Sequence, residues 1–238
     1  NTLIILSLSG ICSILLILVV TLSNLFPASL SRITLSNGKS TIVFMEMSHI
    51  ATSRYYAAVA SDLRGFAGSG YTLYLEWVEA GSPENTEKFQ KLLGIKLEPE
   101  SYARMAQIFW LTAQDPSLFH GIQSGSLVRA DISIDDIMVL VSTGKSLSIN
   151  PPVDIASELE DLPVKKNNLF QYIIRWVLNL SLRTATDSDI LIETLDPDLM
   201  WAILDARNRH LVSTFRERWD TKAVFVYGAL HFDGVYAL

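Results

Sequence analysis

Two histidines follow apolar segments near opposite ends of this 238-residue chain. His231 follows the apolar residues 223–227, with a glycine three positions before it, and His49 follows the apolar segment Thr41–Met47. Short apolar segments of this kind are typical of buried strands. Polar side chains at strand ends are commonly brought together by folding, and imidazoles placed in this way bind metal ions. The two histidines therefore predict one shared site.

Composition limits the kinds of site that the chain can form. A formal net charge of -6 and an isoelectric point near 5.2 argue against a nucleic-acid surface, because no basic stripe is present to neutralise phosphates. Cys12 is the single cysteine, which excludes an intrachain disulfide and a thiolate-rich zinc site. A metal ion would have to be held by His, Glu or Asp.

The N-terminal segment is the most apolar part of the chain. Residues 2–22 contain no charged side chain and are numerous enough to span a bilayer. A cleaved signal peptide is the rival interpretation, but its apolar stretch is usually shorter. We expect residues 1–26 to be a single-pass anchor that places 2–22 in the lipid bilayer. Residues 27–238 are then one domain on an undetermined side of the membrane.

The first part of that domain has a β-α-β pattern. Residues 36–39 predict a turn before the strand Thr41–Met47, and residues 53–66 have the apolar spacing of a helix. A second strand is predicted at residues 71–77, which include Glu76. Strands joined in this way are parallel, and we expect these two to be neighbours. His49 and Glu76 would then meet at one edge of the sheet.

The remainder predicts an α/β (α+β) fold with a mixed central sheet and flanking helices. Helices are expected at residues 84–93, 99–113, 134–142 and 168–182. The last of these is basic and amphipathic, so two interpretations stand: a helix of the domain core, or a helix lying on a membrane surface.

A long helix is predicted at residues 197–219, with Asp196 as its N-cap and proline at the first helical position. Its polar cluster contains Arg207, Asn208 and His210. These side chains either form a solvated helix face or include residues that face the site. His120 and His210 are interpreted as ordinary polar residues.

Five short motifs, in order along the chain, resemble the TraB/PrgY and Tiki superfamily. They are Met47-Ser48-His49, Leu75-Glu76, Arg129-Ala130-Asp131, Asp205-Ala206-Arg207-Asn208-Arg209 and Gly228-Ala229-Leu230-His231-Phe232-Asp233-Gly234. Members of this superfamily carry two Gly-x-x-His motifs and a glutamate on an α/β scaffold, often beside a membrane segment. Its Tiki branch consists of membrane-tethered, metal-dependent proteases. The resemblance implies a divalent metal ion bound by His49, Glu76 and His231.

The implied chemistry is hydrolysis. Two histidines and one carboxylate leave coordination positions open, so a bound water can be activated to attack a carbonyl. Glu76 belongs to this centre, Glu79 or Glu46 is the candidate general base, and Arg207 is the candidate group that stabilises the oxyanion.

The chain also departs from the superfamily pattern. Glu46 stands where the first motif has glycine, whereas Gly228 is retained in the second. The Glu46 carboxylate either distorts the loop of His49 or joins the site. The superfamily's arginine beyond the glutamate has no counterpart at residues 80–82. Three hypotheses follow: a membrane-anchored, peptidase-like metallohydrolase, an inactive member that serves as an accessory subunit with other membrane-protein subunits, or a binding module for a peptide or small ligand.

Overall fold

The computed structural model describes residues 30–93, 99–108, 111–143 and 197–238. The strands are β1 Arg32–Ser36, β2 Thr41–Met47, β3 Ile50–Ala51, β4 Thr72–Leu75, β5 Thr112–Ala113, β6 Leu127–Arg129 and β7 Lys222–Gly228. The helices are α1 Ser53–Gly68, α2 Pro83–Leu93, α3 Pro99–Ile108, α4 Ile134–Thr143, the uninterrupted α5 formed by Pro197–Met200, Trp201–Ala206 and Arg207–Arg218, and α6 Phe232–Ala237. This is a mixed α/β fold, as predicted.

A five-stranded mixed sheet forms the centre, in the order β1-β2-β7-β4-β6. Strands β2, β7, β4 and β6 are parallel, and β1 is antiparallel at the edge beside β2. Helices cover this sheet on both faces, since separate apolar clusters form between the sheet and α1 and between the sheet and α5.

The prediction that β2 and β4 are neighbours was wrong, although the two strands are parallel. Strand β7 lies between them and pairs with both. Residues 223–227 of β7 are all buried. A parallel strand that is apolar on both faces is stable only with neighbours on each side and helices above and below, which explains its central position. The insertion brings the end of β7 directly beside the end of β4.

The hairpin between β1 and β2 confirms the predicted turn at residues 36–39. Asn37 Oδ1 accepts hydrogen bonds from the backbone N–H groups of Lys39 and Ser40, which closes the turn. Strand β1 itself was not predicted. Its burial alternates between exposed and half-buried positions, as expected for an edge strand that covers the core with one face.

Helix α1 lies on one face of the sheet, as its apolar spacing predicted. The Thr52 side chain accepts a hydrogen bond from Tyr55 N–H and caps the helix. Tyr56, Val59 and Leu63 are buried against the sheet. Helix α5 covers the other face, where its Leu211 and Val212 join the buried side chains Phe44, Tyr74, Phe225 and Tyr227.

The other helix predictions had mixed outcomes. Helices at 84–93 and 134–142 are confirmed with a difference of one residue. The predicted helix 99–113 is wrong at its end, because α3 stops at Ile108 and Thr112–Ala113 pair with Ile50–Ala51 as a second small sheet. Thr112 is β-branched and favours extended structure. The predicted helix 197–219 is confirmed to Arg218, and Trp219 ends it in a left-handed conformation with φ 55°.

Two predicted segments, 2–22 and 168–182, lie outside the described residues, as does Asp196. Among the residues that are described, no helix has the length and apolar character needed to cross a membrane.

Candidate functional site

The candidate site lies where three parallel strands end at the same edge of the sheet. Glu76 follows β4, Asp131 follows β6, and His231 follows β7. Backbone pairing continues past the strands, since Glu76 N–H donates to Val226 O at 3.0 Å and Ala130 N–H donates to Leu75 O at 3.3 Å. Hydrogen-bonded backbone therefore extends to Glu76 and to the residue before Asp131.

Glu76 is the centre of the hydrogen-bond network. Its side chain is 15% exposed. Oε1 accepts from Arg207 Nη2 at 2.7 Å, and Oε2 accepts from Gly228 N–H at 2.6 Å. Burial raises the pKa of this carboxyl, but the hydrogen bond with His231 and the charges of Arg207, His231 and His49 outweigh it and hold the pKa well below its usual range. Glu76 is therefore a carboxylate in the folded protein.

Arg207 joins two carboxylates at the base of the site. Its side chain is buried, and it forms a bidentate pair with Asp131 through Nε to Oδ1 at 2.8 Å and Nη2 to Oδ2 at 2.7 Å. The remaining bonds of Asp131 come from the backbone N–H groups of Trp77 and Ile132. Burial lowers the pKa of Arg207, but Asp131 and Glu76 outweigh it and raise the pKa above its ordinary value. The guanidinium neutralises charge within the network.

The polar cluster of α5 divides between the site and the solvent. Arg207 and Asn208 are buried, whereas Arg209 and His210 are exposed. A π-helical turn, Trp201–Ala206, immediately precedes Arg207. Such turns are frequent at functional sites because they change the direction of the side chains that follow. The interpretation in which Arg207 and Asn208 face the site is the one that the structure supports.

His231 contacts Glu76 through one ring nitrogen and Asn208 through the other. The residue is 3% exposed. Nδ1 lies 2.7 Å from Asn208 Oδ1, and Nε2 lies 3.5 Å from Glu76 Oε1. An amide oxygen only accepts hydrogen bonds, so Nδ1 carries a proton. In the neutral ring, the Nε2 lone pair then faces a carboxylate oxygen. Two acceptors in this arrangement need a proton or a cation between them.

Two glycines leave the space that this arrangement needs. A Cβ at Gly228 would lie 3.3 Å from Glu76 Oε2, and a Cβ at Gly234 would overlap the Asn208 amide nitrogen. The close approach of Gly234 positions the Asn208 amide. The glycine of the second Gly-x-x-His motif, Gly228, thus leaves room for the Glu76 carboxylate and donates its N–H to it.

His49 stands at the periphery of the site. It is exposed, its ring packs at 5.4 Å from the Tyr102 ring of α3, and its charge contributes to the lowered pKa of Glu76. Across the described ranges, no group of three or more His, Cys, Asp or Glu side chains could hold a metal ion. Glu76 and His231 are thus in contact, whereas His49 does not complete a set of three ligands with them.

Neither candidate general base contacts this pair. The buried Glu46 carboxylate accepts from Ser31 N–H at 2.5 Å, which connects it to the start of β1. Glu79 is exposed, and its backbone carbonyl accepts from Ile134 N–H at 3.0 Å. In the described part of the chain, neither carboxylate forms a hydrogen bond or ion pair with Glu76 or His231.

The spacing of the Glu76–His231 pair fits a metal ion. Tetrahedral zinc has bonds to nitrogen and oxygen of about 2.0–2.1 Å, which place two ligand atoms roughly 3.4 Å apart. The Nε2–Oε1 separation of 3.5 Å matches this span. Asn208 also supplies the outer hydrogen bond that metal-binding histidines usually have. These two residues fit an ion as a pair.

Sequence reasoning assigned no role to three residues that contribute to the site. Asp131 pairs with Arg207, the Tyr227 hydroxyl donates to Ala130 O, and the Tyr102 ring lies near His49. Burial and the charge of Glu76 raise the pKa of Tyr102, so its phenol stays protonated. The Arg129-Ala130-Asp131 motif was the available signal for Asp131.

Two surface cavities of about 370 and 470 Å³ lie elsewhere, lined by residues of β1, α5 and α6 among others. Neither is lined by Glu76 or His231. The candidate site is therefore defined by the contacts of Glu76 and His231.

Comparisons of the chain with protein-family models, with curated proteins and with solved structures gave no match.

Proposed function

We propose that the protein is a membrane-anchored, peptidase-like metallohydrolase of the TraB/Tiki type, with Glu76 and His231 as ligands of a divalent ion. The observation that carries this proposal is the pair of acceptors, His231 Nε2 and Glu76 Oε1, which face each other 3.5 Å apart in a largely buried position. A cation between them satisfies both, and the ionised state of Glu76 suits it to that role.

The surrounding residues have positioning roles in this proposal. Asn208 orients the imidazole so that Nε2 faces Glu76, while Arg207 and Gly228 fix the carboxylate. Arg207 donates four hydrogen bonds, to Asp131, Glu76 and Ile203 O, so we assign it a positioning role in place of the oxyanion role expected from the sequence.

His49 is the proposed third ligand, and it would have to approach from its exposed position after β2. When bound, the ion would supply a Lewis acid and an activated water. The protonated Tyr102 phenol supplies a hydrogen-bond donor beside His49. Glu79 remains the proposed general base, and its role requires that the solvent-exposed carboxylate reaches the substrate from the rim.

The proposed location is a membrane surface. Residues 2–22 are an uncharged apolar segment of sufficient length for a span, and 27–238 follow as the domain. The acidic composition is consistent with a domain that binds no nucleic acid.

One observation favours a second candidate, the inactive accessory subunit. Both Glu76 oxygens already have donors, and Arg207 balances part of the carboxylate charge, so the network is stable without an ion. Such a network would stabilise the sheet edge in a protein that only assembles with other membrane-protein subunits.

Peptide hydrolysis by the untagged full chain in mild detergent separates the two candidates. The hydrolase proposal predicts activity that is removed by a chelator and restored by a divalent ion. His231→Ala and Glu76→Gln should be inactive, and His120→Ala is the matched control because His120 is exposed on another loop. An inert wild type that co-purifies with a defined membrane partner would instead support the accessory role.

A further inference from the structure

A second arginine lies at the same edge of the sheet and differs from Arg207 in its exposure and in its contacts. Arg129 ends β6, its side chain is exposed, and its guanidinium carbon lies 4.7 Å from the centre of the Trp77 ring. Trp77 directly follows Glu76, and Arg129 is in register with Leu75. The stacked pair is therefore built into the strand ends that also carry Glu76.

The guanidinium of Arg129 has no acidic partner among the described residues. Asp131 is two positions away, but its oxygens are bonded to Arg207 and to backbone N–H groups. Stacking on an indole occupies the face of a guanidinium and leaves its in-plane N–H groups available. Those groups form a fork that matches the two oxygens of a carboxylate.

The charges of the site indicate how the Arg129 guanidinium would affect the binding of a carboxylate. Glu76 and Asp131 are balanced by Arg207 alone, which leaves one formal negative charge when His231 is neutral. When no ion is bound, a substrate carboxylate would be repelled from that centre and attracted to a cation at the same edge of the sheet. Arg129 is such a cation, held in place by Trp77.

We propose that Arg129, stacked on Trp77, binds a carboxylate of the ligand, so that the site takes peptides with a free carboxylate near the bond presented to Glu76 and His231. The choice of a peptide rests on the proposed function. Either a C-terminal carboxylate or an acidic side chain has the required chemistry, and the experiment distinguishes these two sources.

The test is a binding measurement by fluorescence anisotropy on the full chain in detergent. The probes are a labelled short alanine peptide with a free C-terminus, the same peptide amidated, and an amidated peptide that ends in glutamate. The variants are Arg129→Gln and Arg129→Lys, which keeps the charge but loses the fork. Arg64→Gln is the matched control, since Arg64 is exposed on α1. Thermal unfolding checks that each variant is folded.

We expect the wild type to bind at least one carboxylate probe about tenfold more tightly than the amidated alanine peptide, the size expected for charge-assisted hydrogen bonds. Arg129→Gln should lose this preference, Arg129→Lys should keep part of it, and Arg64→Gln should keep it all. Preference for the free C-terminus or for glutamate identifies the source. Equal binding of all three probes, no binding of any, or equal losses in Arg64→Gln and Arg129→Gln would overturn the inference.

Hydrolysis is measured separately, with and without added divalent ion. A protein that selects carboxylate probes but cleaves nothing would contradict the proposed hydrolase and leave this inference intact. A protein that cleaves free and amidated peptides equally well, without a difference in binding, would contradict this inference and leave the proposed hydrolase intact.

Discussion

Asn208 and His231 form a buried hydrogen bond of 2.7 Å between an amide oxygen and Nδ1, which fixes the face of the imidazole that meets Glu76. The two residues come from α5 and from the turn after β7, which are 23 positions apart in the chain. The orientation of the proposed metal-binding nitrogen is thus set by Asn208, which hydrogen-bonds the ring from the side opposite the carboxylate.

The first prediction concerns the glycine that positions this amide. In Gly234→Ala the new methyl group would overlap Asn208 Nδ2, so the amide must move away from His231. We expect a loss of about 1–3 kcal/mol in the free energy of unfolding, as for overpacked interiors. Chemical denaturation measures it. Gly65→Ala is the control, because a Cβ there meets nothing within 4 Å and lies within a helix, so it should be neutral or stabilising.

The second prediction compares two adjacent arginines of α5. Arg207→Met leaves the Glu76 and Asp131 carboxylates without their buried cation, which should cost about 3–5 kcal/mol of stability. Arg209→Met changes an exposed side chain one residue away and should cost no more than about 0.5 kcal/mol. Equal effects of the two substitutions in denaturation would show that the network contributes little to the fold.

A third prediction follows from the depressed pKa of Glu76. The unfolded chain takes up a proton near the ordinary value of 4.5, whereas the folded chain does so only at lower pH. The contribution of this group to stability is therefore present above about pH 4.5 and is lost as the pH falls through the folded pKa. In Glu76→Gln this part of the acid dependence should be absent. The exposed Glu217→Gln removes the same formal charge and should retain the wild-type profile.

A fourth prediction concerns the departure from the first Gly-x-x-His motif. Because the Glu46 carboxylate accepts from Ser31 N–H, Glu46→Gly removes a buried acceptor and places glycine inside a strand. We expect a destabilisation of about 1–3 kcal/mol. Glu46→Gln keeps an acceptor oxygen and should be milder. A more active Glu46→Gly protein, with unchanged stability, would show instead that the carboxylate obstructs the site.

The sequence was sufficient for the local elements and for part of the site. Apolar spacing located β2, α1 and β7 to within a few residues, because burial imposes a period on each. The edge that joins Glu76 and His231 was also predicted. The order of the strands was predicted wrongly. Residues close in the chain suggested that β2 and β4 are neighbours, but β7, which comes from the far end of the chain, lies between them.

The details of the site depend on tertiary contacts in the same way. Arg207 on α5 points to the sheet edge and not to solvent. The π-helical turn precedes it, and its partners Asp131 and Glu76 follow strands that are distant in the chain. The distance of His49 from the pair depends on how the loop after β2 packs on α3. No periodicity in the sequence encodes either arrangement.

Direct titration of the untagged full chain with a divalent ion tests the central claim, that Glu76 and His231 bind a metal together. Isothermal titration calorimetry with zinc, and with manganese and cobalt in separate runs, should show one saturable site in the wild type. The site should be lost in both His231→Ala and Glu76→Gln, weakened in His49→Ala, and retained in His120→Ala. A wild type that binds none of these ions, or binding that survives both His231→Ala and Glu76→Gln, would contradict the account.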